Sequence, residues 1–237
     1  MRYNREYIKN NVRWIKDFMN RKGISYKFDW EIYADILGEY LEPNVNWLDL
    51  GCGENLWVNE YEKVKFKLGI DILVPTTPKG RSNFCLGDLY KLPFKDNSFD
   101  LVTCRFVIEH LERPQQLLGE AHRVLNVEGI LIIHTTNIRS VTIIIKDLLP
   151  KPIRIYLIRY LTGAPEKKFL PLFYRFNTPS LFQKGIPGFK TLHIVYTQNV
   201  FITMKPLMYL SCLYYLLTKN SKLHRFYPII TGVFQKL

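Results

Sequence analysis

The stretch Trp47–Asn55, W-L-D-L-G-C-G-E-N, constrains this chain more than any other. An apolar run (Val45, Trp47, Leu48, Leu50) carries one acid, Asp49, and then breaks at Gly51 and Gly53. That order predicts a buried strand that stops at a tight turn and hands over to a helix. Glycine at 51 and 53 lets the backbone take positive φ and lets a ligand approach where a Cβ would collide. Asp49 stands just before the turn. Its carboxylate is therefore expected over the carboxyl end of a sheet, the crevice where open α/β sheets bind ligands.

The following residues extend that frame. Phe66–Asp71 (F-K-L-G-I-D) reads as a second strand and ends in an acid, Asp71, about 20 residues beyond the turn, a distance that suits ribose hydroxyls. Strand, turn and acid also suit nicotinamide dinucleotides. The dinucleotide fingerprint G-x-G-x-x-G needs glycine at 56, where Leu56 stands, so a pyrophosphate site is disfavoured. Asn83–Gly87 reads as strand 3, Phe99–Arg105 as strand 4 and Ile130–Thr135 as strand 5. Helices are expected near Asn55–Val64 and Pro114–Leu125.

Upstream, residues 4–22 read as an amphipathic helix, with Tyr7, Ile8, Val12, Ile15, Phe18 and Met19 at three- and four-residue steps and Gly23 as a stop. A second helix covers Trp30–Leu41. Residues 1–43 thus form a helical cover for a sheet edge or face, or a lid. Downstream, Thr178 caps a short helix that starts at Pro179 and runs through Lys184. Phe189–Thr197 reads as strand 6, about Met204–Thr218 as a last helix, and Pro228–Gln235 as strand 7.

Four pieces, Trp47–Asn55, Gly69–Asp71, Gly87–Val102 and V-I-E-H-L … E-A-H-R-V-L … G-I-L-I-I, occur in an order that resembles the class I methyltransferases that use S-adenosylmethionine (SAM), of the small-molecule type 11 kind. The resemblance covers roughly residues 45–137; its motif I is D-x-G-x-G-x-G, and Asn55 stands where the third glycine is usual. It implies a Rossmann-like three-layer α/β sandwich. The sheet has seven strands in the order 3-2-1-4-5-7-6, mostly parallel with strand 7 antiparallel, and helices on both faces. It also implies site roles. Asp49 and the Gly51-Cys52-Gly53 backbone would hold the methionine part of SAM, with Asn55 narrowing the loop or meeting the methionine carboxylate. Asp71 would bind the ribose, with Ile72 against the adenine. Asp88 and Leu89 would hold the adenine, and Cys104 and Arg105 would line the pocket below the sulfonium.

At the end of strand 4, His110 is the candidate base and Glu109 reads as a structural acid. His122 and His134 read as packed or solvated. No histidine pair has metal-ligand spacing and no C-x-x-C pair occurs among the four cysteines, so no metal site is expected and the thiols read as reduced.

Charge separates the two ends of the chain. Residues 141–237 hold 14 lysines and arginines against two acids, Asp147 and Glu166, so the whole net excess of +12 falls there. Such asymmetry implies an anionic partner. Residues 138–177 read as an insertion between strands 5 and 6 that serves the substrate or a membrane surface, within a single methyltransferase domain spanning 1–237. Ile153–Leu161, with Arg154 and Arg159, is apolar and aromatic, a composition that suits a membrane interface. Leu207–Leu217 is too short to span a bilayer, which needs about 20 residues. The charged N-terminus does not read as a signal peptide, so a cytoplasmic protein is expected, peripheral at the inner membrane surface.

The expected acceptor is a small molecule, a glycan or a lipid-linked intermediate. Nucleic acid is the second choice, because strand 5 ends in Thr135-Thr136-Asn137, without an N-P-P-Y-type signature, and no Pro-Cys dipeptide is present. A non-catalytic SAM-binding module is the third.

Overall fold

The computed structural model describes residues 5–62, 64–148, 150 and 170–237. Its described elements run α1 (Arg5–Asn20), α2 (Asp29–Tyr40), β1 (Asn46–Leu50), α3 (Leu56–Glu60), β2 (Phe66–Asp71), α4 (Pro78–Arg81), β3 (Phe84–Leu86), β4 (Phe99–Arg105), α5 (Pro114–Val124), β5 (Leu125–Thr136) and α6 (Val141–Leu148). After the undescribed residues come α7 (Pro179–Lys184), β6 (Phe189–Thr197), α8 (Lys205–Thr218) and β7 (Ile229–Lys236). The strands form one sheet in the order β3-β2-β1-β4-β5-β7-β6, mostly parallel with β7 antiparallel.

The chain divides into two compact units. One comprises Tyr33–Thr136, Leu172–Val195 and Ile230–Leu237. In it β1 pairs in parallel with β2 on one side and β4 on the other, setting Asp49 beside Gly69 and Thr103. Trp47, Leu48, Leu50, Val102 and Ile132 are buried. This continuous apolar character is what a parallel sheet covered on both faces requires.

The other unit comprises Met1–Ile32, Asn137–Pro171 and Tyr196–Ile229. Its core gathers Ile15 and Met19 of α1 with Tyr26, Phe28, Val200, Met208 and Cys212. The apolar face of α1 therefore packs against chain that lies about 190 residues later, at Val200 and α8, and Asn11 Nδ2 donates to the Ile202 carbonyl at 2.7 Å.

Several boundaries differ from the sequence expectation for local reasons. α3 ends at Glu60, short of Val64, because Tyr61 is extended and its carbonyl accepts from Lys67 Nζ. β5 starts at Leu125 and not at Ile130. Leu125 pairs with Phe99, and the register then shifts, with Glu128 at φ 64 taking up the irregularity inside the strand. α4, with Thr77 accepting from the Gly80 N–H as its cap, lies in a stretch where the sequence suggests no element. α7 takes the expected form, with Thr178 as cap and Pro179 at its first position. Ile153–Leu161 lies outside the described residues.

Candidate active site

The expected site residues all belong to the unit that carries the sheet. β1 ends at Leu50, and the turn hooks over β2: the Gly51 and Cys52 N–H groups both donate to the Ile70 carbonyl, at 2.7 and 3.2 Å. Gly51 has φ 69, and a Cβ there would lie 2.3 Å from Val107 Cγ2. Gly53 has φ 55, and a Cβ built there meets nothing within 4 Å. The first glycine is thus required by the protein's own packing. The second leaves an open face of backbone.

Gly51→Ala is accordingly expected to cost about 2–4 kcal/mol, from positive φ together with overpacking against Val107. Urea unfolding of Gly51→Ala, Val107→Ala and the double variant separates the two causes. The steric part should be recovered in the double variant and the φ cost should persist. Equal stability of Gly51→Ala and wild type would refute both.

Asp71, at the end of β2, fastens the turn. One carboxylate oxygen accepts from the Gly53 N–H at 2.9 Å and the other from the Leu73 N–H at 3.0 Å. The lone pairs that remain can still receive hydroxyl donors. Beside it Ile72, Leu73 and Val74 form a run of exposed apolar side chains. Asp88, exposed after β3, accepts from the Tyr90 N–H at 2.9 Å, and Leu89 next to it is buried.

Asp49 is the electrostatic centre. It is buried, and one oxygen accepts from Thr103 Oγ1 at 2.6 Å, while that hydroxyl accepts from Trp47 Nε1 at 2.9 Å. Burial pushes its carboxyl up to about 6. The Thr103 hydrogen bond and the Arg105 charge oppose the shift, and Asp71 adds to it. A carboxylate held this way is stabilised by the arrival of a cation.

The Arg105 guanidinium lies over the rings of Trp57 (4.7 Å), Phe106 (5.2 Å) and Tyr33 (5.4 Å). Phe106 sits at φ 53, a conformation that costs a bulky residue energy and marks the exit of β4 as strained. Cys104 is buried, and its thiol is pushed well up by that burial.

Asn55 differs from both roles expected of it. It is fully buried at φ 54, and its Nδ2 donates to the carbonyls of Gly80 (3.0 Å), Ser82 (2.8 Å) and Asn83 (3.1 Å). Its side chain points under the turn and holds α4 and the loop after it. Gly69 makes room for it, since a Cβ there would fall 2.2 Å from Asn55 Oδ1.

Glu109 and His110 occupy a short 3-10 turn after β4, Ile108–His110. The buried Glu109 carboxylate accepts from Thr135 Oγ1 at 2.7 Å, and its backbone carbonyl accepts from the Phe173 and Tyr174 N–H groups. Burial raises its carboxyl. It is a structural node. His110 is half-buried, and its N–H donates to the Val107 carbonyl at 2.8 Å. His134 is buried with Nδ1 2.8 Å from Thr231 Oγ1, and the ring of His122 meets Phe189 edge to face. Among the described residues no cluster of three or more His, Cys, Asp or Glu side chains is arranged to hold a metal ion.

The sequence reading missed Thr103, Tyr33 and Trp57. Thr103 had a signal, since placing strand 4 beside strand 1 sets it opposite Asp49. Tyr33 and Trp57 reach Arg105 through tertiary packing alone.

Comparison with known proteins agrees with this geometry. Residues 48–133 match the family model described as a methyltransferase domain. A ubiquinone/menaquinone biosynthesis C-methyltransferase from Ruegeria sp. is 40% identical over 75 residues, 27% of this chain and 30% of that protein. The mitochondrial 2-methoxy-6-polyprenyl-1,4-benzoquinol methylase of Bos taurus is 36% identical over 77 residues, 32% of this chain and 23% of that protein. These matches span less than half the length of either relative. Among solved structures, the protein PH0226 from Pyrococcus horikoshii has a TM-score of 0.55 at 20% identity, over 86% of this chain and 87% of that one. The [4+2]-cyclase SpnF has a TM-score of 0.54 at 17% identity, over 86% and 80%. Both likenesses are of fold.

Proposed function

We propose that this chain, which carries a methyltransferase domain of the class I SAM-dependent family, transfers a methyl group from SAM to a small-molecule, glycan or lipid-linked acceptor at a membrane surface. The observation that carries the SAM reading is the set of three acids at the carboxyl ends of neighbouring strands, Asp49, Asp71 and Asp88, around an unobstructed Gly53. Among the described residues the buried Asp49 carboxylate accepts only from the Thr103 hydroxyl, which suits a cationic amino-acid end. Asp71 suits paired hydroxyls, and the exposed Ile72 suits a flat ring. When bound, SAM supplies an electrophilic methyl group on a sulfonium for in-line attack by an acceptor oxygen, nitrogen or carbon. The chain's part is to bind, align and exclude water.

The acceptor class rests on other observations. The two methyltransferase relatives are named for quinone biosynthesis and for a polyprenylated benzoquinol, which favours an acceptor with a lipid tail. α8 leaves Leu210, Leu213 and Leu217 exposed at helical spacing, between Lys205 and Lys219 near its ends. That combination suits an anionic membrane surface. Among the described residues no helix is long and apolar enough to cross a membrane. His110 is the proposed base where the acceptor must lose a proton. His110→Ala should then lower kcat and leave the Kd for SAM unchanged.

The deciding experiment is transfer of labelled methyl from SAM into fractionated lipid, glycan and RNA extracts. Label in lipid or glycan supports the reading, and label in RNA alone replaces it with nucleic-acid methylation. SAM binding with no label in any fraction favours a non-catalytic SAM-binding module. Flotation with vesicles that contain anionic lipid tests the membrane surface, where association should weaken as salt rises.

A further inference from the structure

Residues 87–98 join β3 to β4 without a strand or a helix of their own. They carry Asp88 and Leu89, the pair expected at the adenine of SAM. No strand ladder or helix fixes the shape of such a segment, so side chains must satisfy its backbone and hold it. Arg123, in the last turn of α5, does most of this work.

Each of the five N–H groups of the Arg123 guanidinium finds an acceptor. Nε and Nη2 grip the two oxygens of Glu120, one helical turn back, at 2.9 and 2.8 Å. Nη2 also donates to the Leu92 carbonyl at 3.0 Å. Nη1 donates to the Phe94 carbonyl at 2.7 Å and to Asp96 Oδ1 at 2.8 Å. Glu120 completes the clamp, since its Oε2 accepts from the Leu92 N–H at 2.7 Å. One ion pair thus holds both backbone polar groups of Leu92, whose side chain is buried.

The clamp stands at the end of a turn. The Gly87 N–H donates to the Asp71 carbonyl at 3.0 Å, which fastens the start of the segment to the end of β2. The Asp88 carbonyl accepts from the Lys91 N–H at 3.1 Å, and its carboxylate accepts from the Tyr90 N–H at 2.9 Å. Asp88–Lys91 is therefore a closed turn, and Leu92 follows at once. It is tied at Gly87 on one side and at Leu92 on the other. The far end of the segment has ties of its own, because the Asn97 and Ser98 N–H groups donate to the Arg123 and Val124 carbonyls at 3.0 and 2.8 Å. Closing the segment onto α5 does not need the guanidinium. What the guanidinium adds is a fixed middle, next to Asp88.

We propose that Glu120 and Arg123 are positioning residues for the base of the cofactor. They hold Leu92 so that the Asp88 carboxylate, which can only accept, meets the exocyclic amino group of adenine. In this way they set a preference for adenine over a base with a carbonyl at that position. The inference rests on the SAM reading and adds to it two residues that act through Asp88.

The test is calorimetric titration of the full chain with S-adenosylhomocysteine and S-inosylhomocysteine, in which a carbonyl replaces the amino group. Wild type is expected to bind the adenosyl compound at least about tenfold tighter, because the inosyl oxygen leaves the Asp88 carboxylate without its donor. Arg123→Lys keeps the charge and loses the planar fork. It should bring the two affinities to within about threefold, by weakening the adenosyl compound and sparing the inosyl one. A merely structural role would weaken both by one factor and leave their ratio intact. Glu120→Gln keeps an acceptor for the Leu92 N–H and should lower the ratio part of the way, so it serves as the probe if Arg123→Lys does not fold. Asp88→Ala should abolish the preference. Adding Arg123→Lys to Asp88→Ala should then cost the adenosyl compound nothing more, as expected of residues that act as a unit. A ratio that Arg123→Lys and Glu120→Gln leave at the wild-type value would overturn the inference and leave the SAM reading standing. So would additive losses in the double variant, or equal binding of the two compounds by wild type. Binding of neither compound by wild type would overturn the SAM reading and this inference together.

Discussion

Asp49→Asn is expected to weaken SAM binding by at least about a hundredfold while making the free protein more stable at pH 7. The two effects have one cause. The Asp49 carboxylate is buried, and burial raises its carboxyl to about 6, above the ordinary carboxylate value near 4. Between those values the folded state holds a proton that the unfolded chain has released. Stability therefore falls as pH rises from about 4 to about 6, and above that the full cost, up to about 3 kcal/mol, is present. Asparagine can still accept from Thr103 and carries no charge, so urea unfolding at pH 7 should show a gain of about 1–3 kcal/mol that disappears near pH 4. Binding follows the opposite course. A cationic ligand end needs the ionised carboxylate, so wild-type affinity for SAM should fall about tenfold per pH unit below 6. In Asp49→Asn that dependence should be flat. A wild-type affinity independent of pH from 5 to 7, or an unchanged Kd in Asp49→Asn, would remove Asp49 from the cofactor site. A stabilised variant that no longer binds would identify a strained functional carboxylate, a group that folding alone would not favour.

What could be read from the sequence were the features that depend on near neighbours along the chain. Phe66–Asp71, Phe99–Arg105 and Phe189–Thr197 form as expected, since a run of apolar residues bounded by turn formers is a local signal. The expected strand order is also the one observed. The tight turn after β1 was visible because two glycines that follow an apolar run are a local signal, and Gly51 and Gly53 both take positive φ there. What could not be read depends on register and on distant contacts. Thr103 matters only because β1 and β4 align it with Asp49. Tyr33 and Trp57 matter only because Arg105 lies over their rings, and no spacing in the sequence records that. The packing of α1 was illegible for the same reason: its amphipathic face was plain, but its partners at Val200, Met208 and Cys212 lie at the other end of the chain.

Asn55 shows how one residue can be conspicuous in a sequence while its work stays hidden, and Asn55→Asp is the substitution that exposes it. The backbone there is left-handed, at φ 54 and ψ 31, a conformation asparagine tolerates better than other residues with a side chain except aspartate. That accounts for a non-glycine residue at this position. The side chain then does what glycine could not, donating through one NH2 group to three carbonyls of residues 80–83. Asn59 reinforces the link, with Nδ2 donating to the carbonyls of Asn55 and Lys79 at 2.8 Å each. Aspartate has the same shape and the same tolerance of positive φ, so Asn55→Asp changes only the donor. A buried carboxylate aimed at three carbonyl oxygens must take up a proton or unfold the loop, and a cost of about 3–5 kcal/mol is expected at pH 7. Its carboxyl would be raised in the folded state, so the cost should grow with rising pH from about 4 and be smallest in acid. Asn55→Gly keeps the backbone at ease and leaves the carbonyls unpaired, which should cost less, about 1–3 kcal/mol, with no pH dependence of its own. Urea unfolding of both variants at pH 4.5 and 7 decides the matter. If Asn55→Asp is less damaging than Asn55→Gly at pH 7, the amide is not the tie between the glycine turn and α4. If the expected order is found, the turn that presents Gly53 owes its shape to a donor beneath it, and the loss should also weaken SAM binding in a variant with every cofactor-facing residue intact.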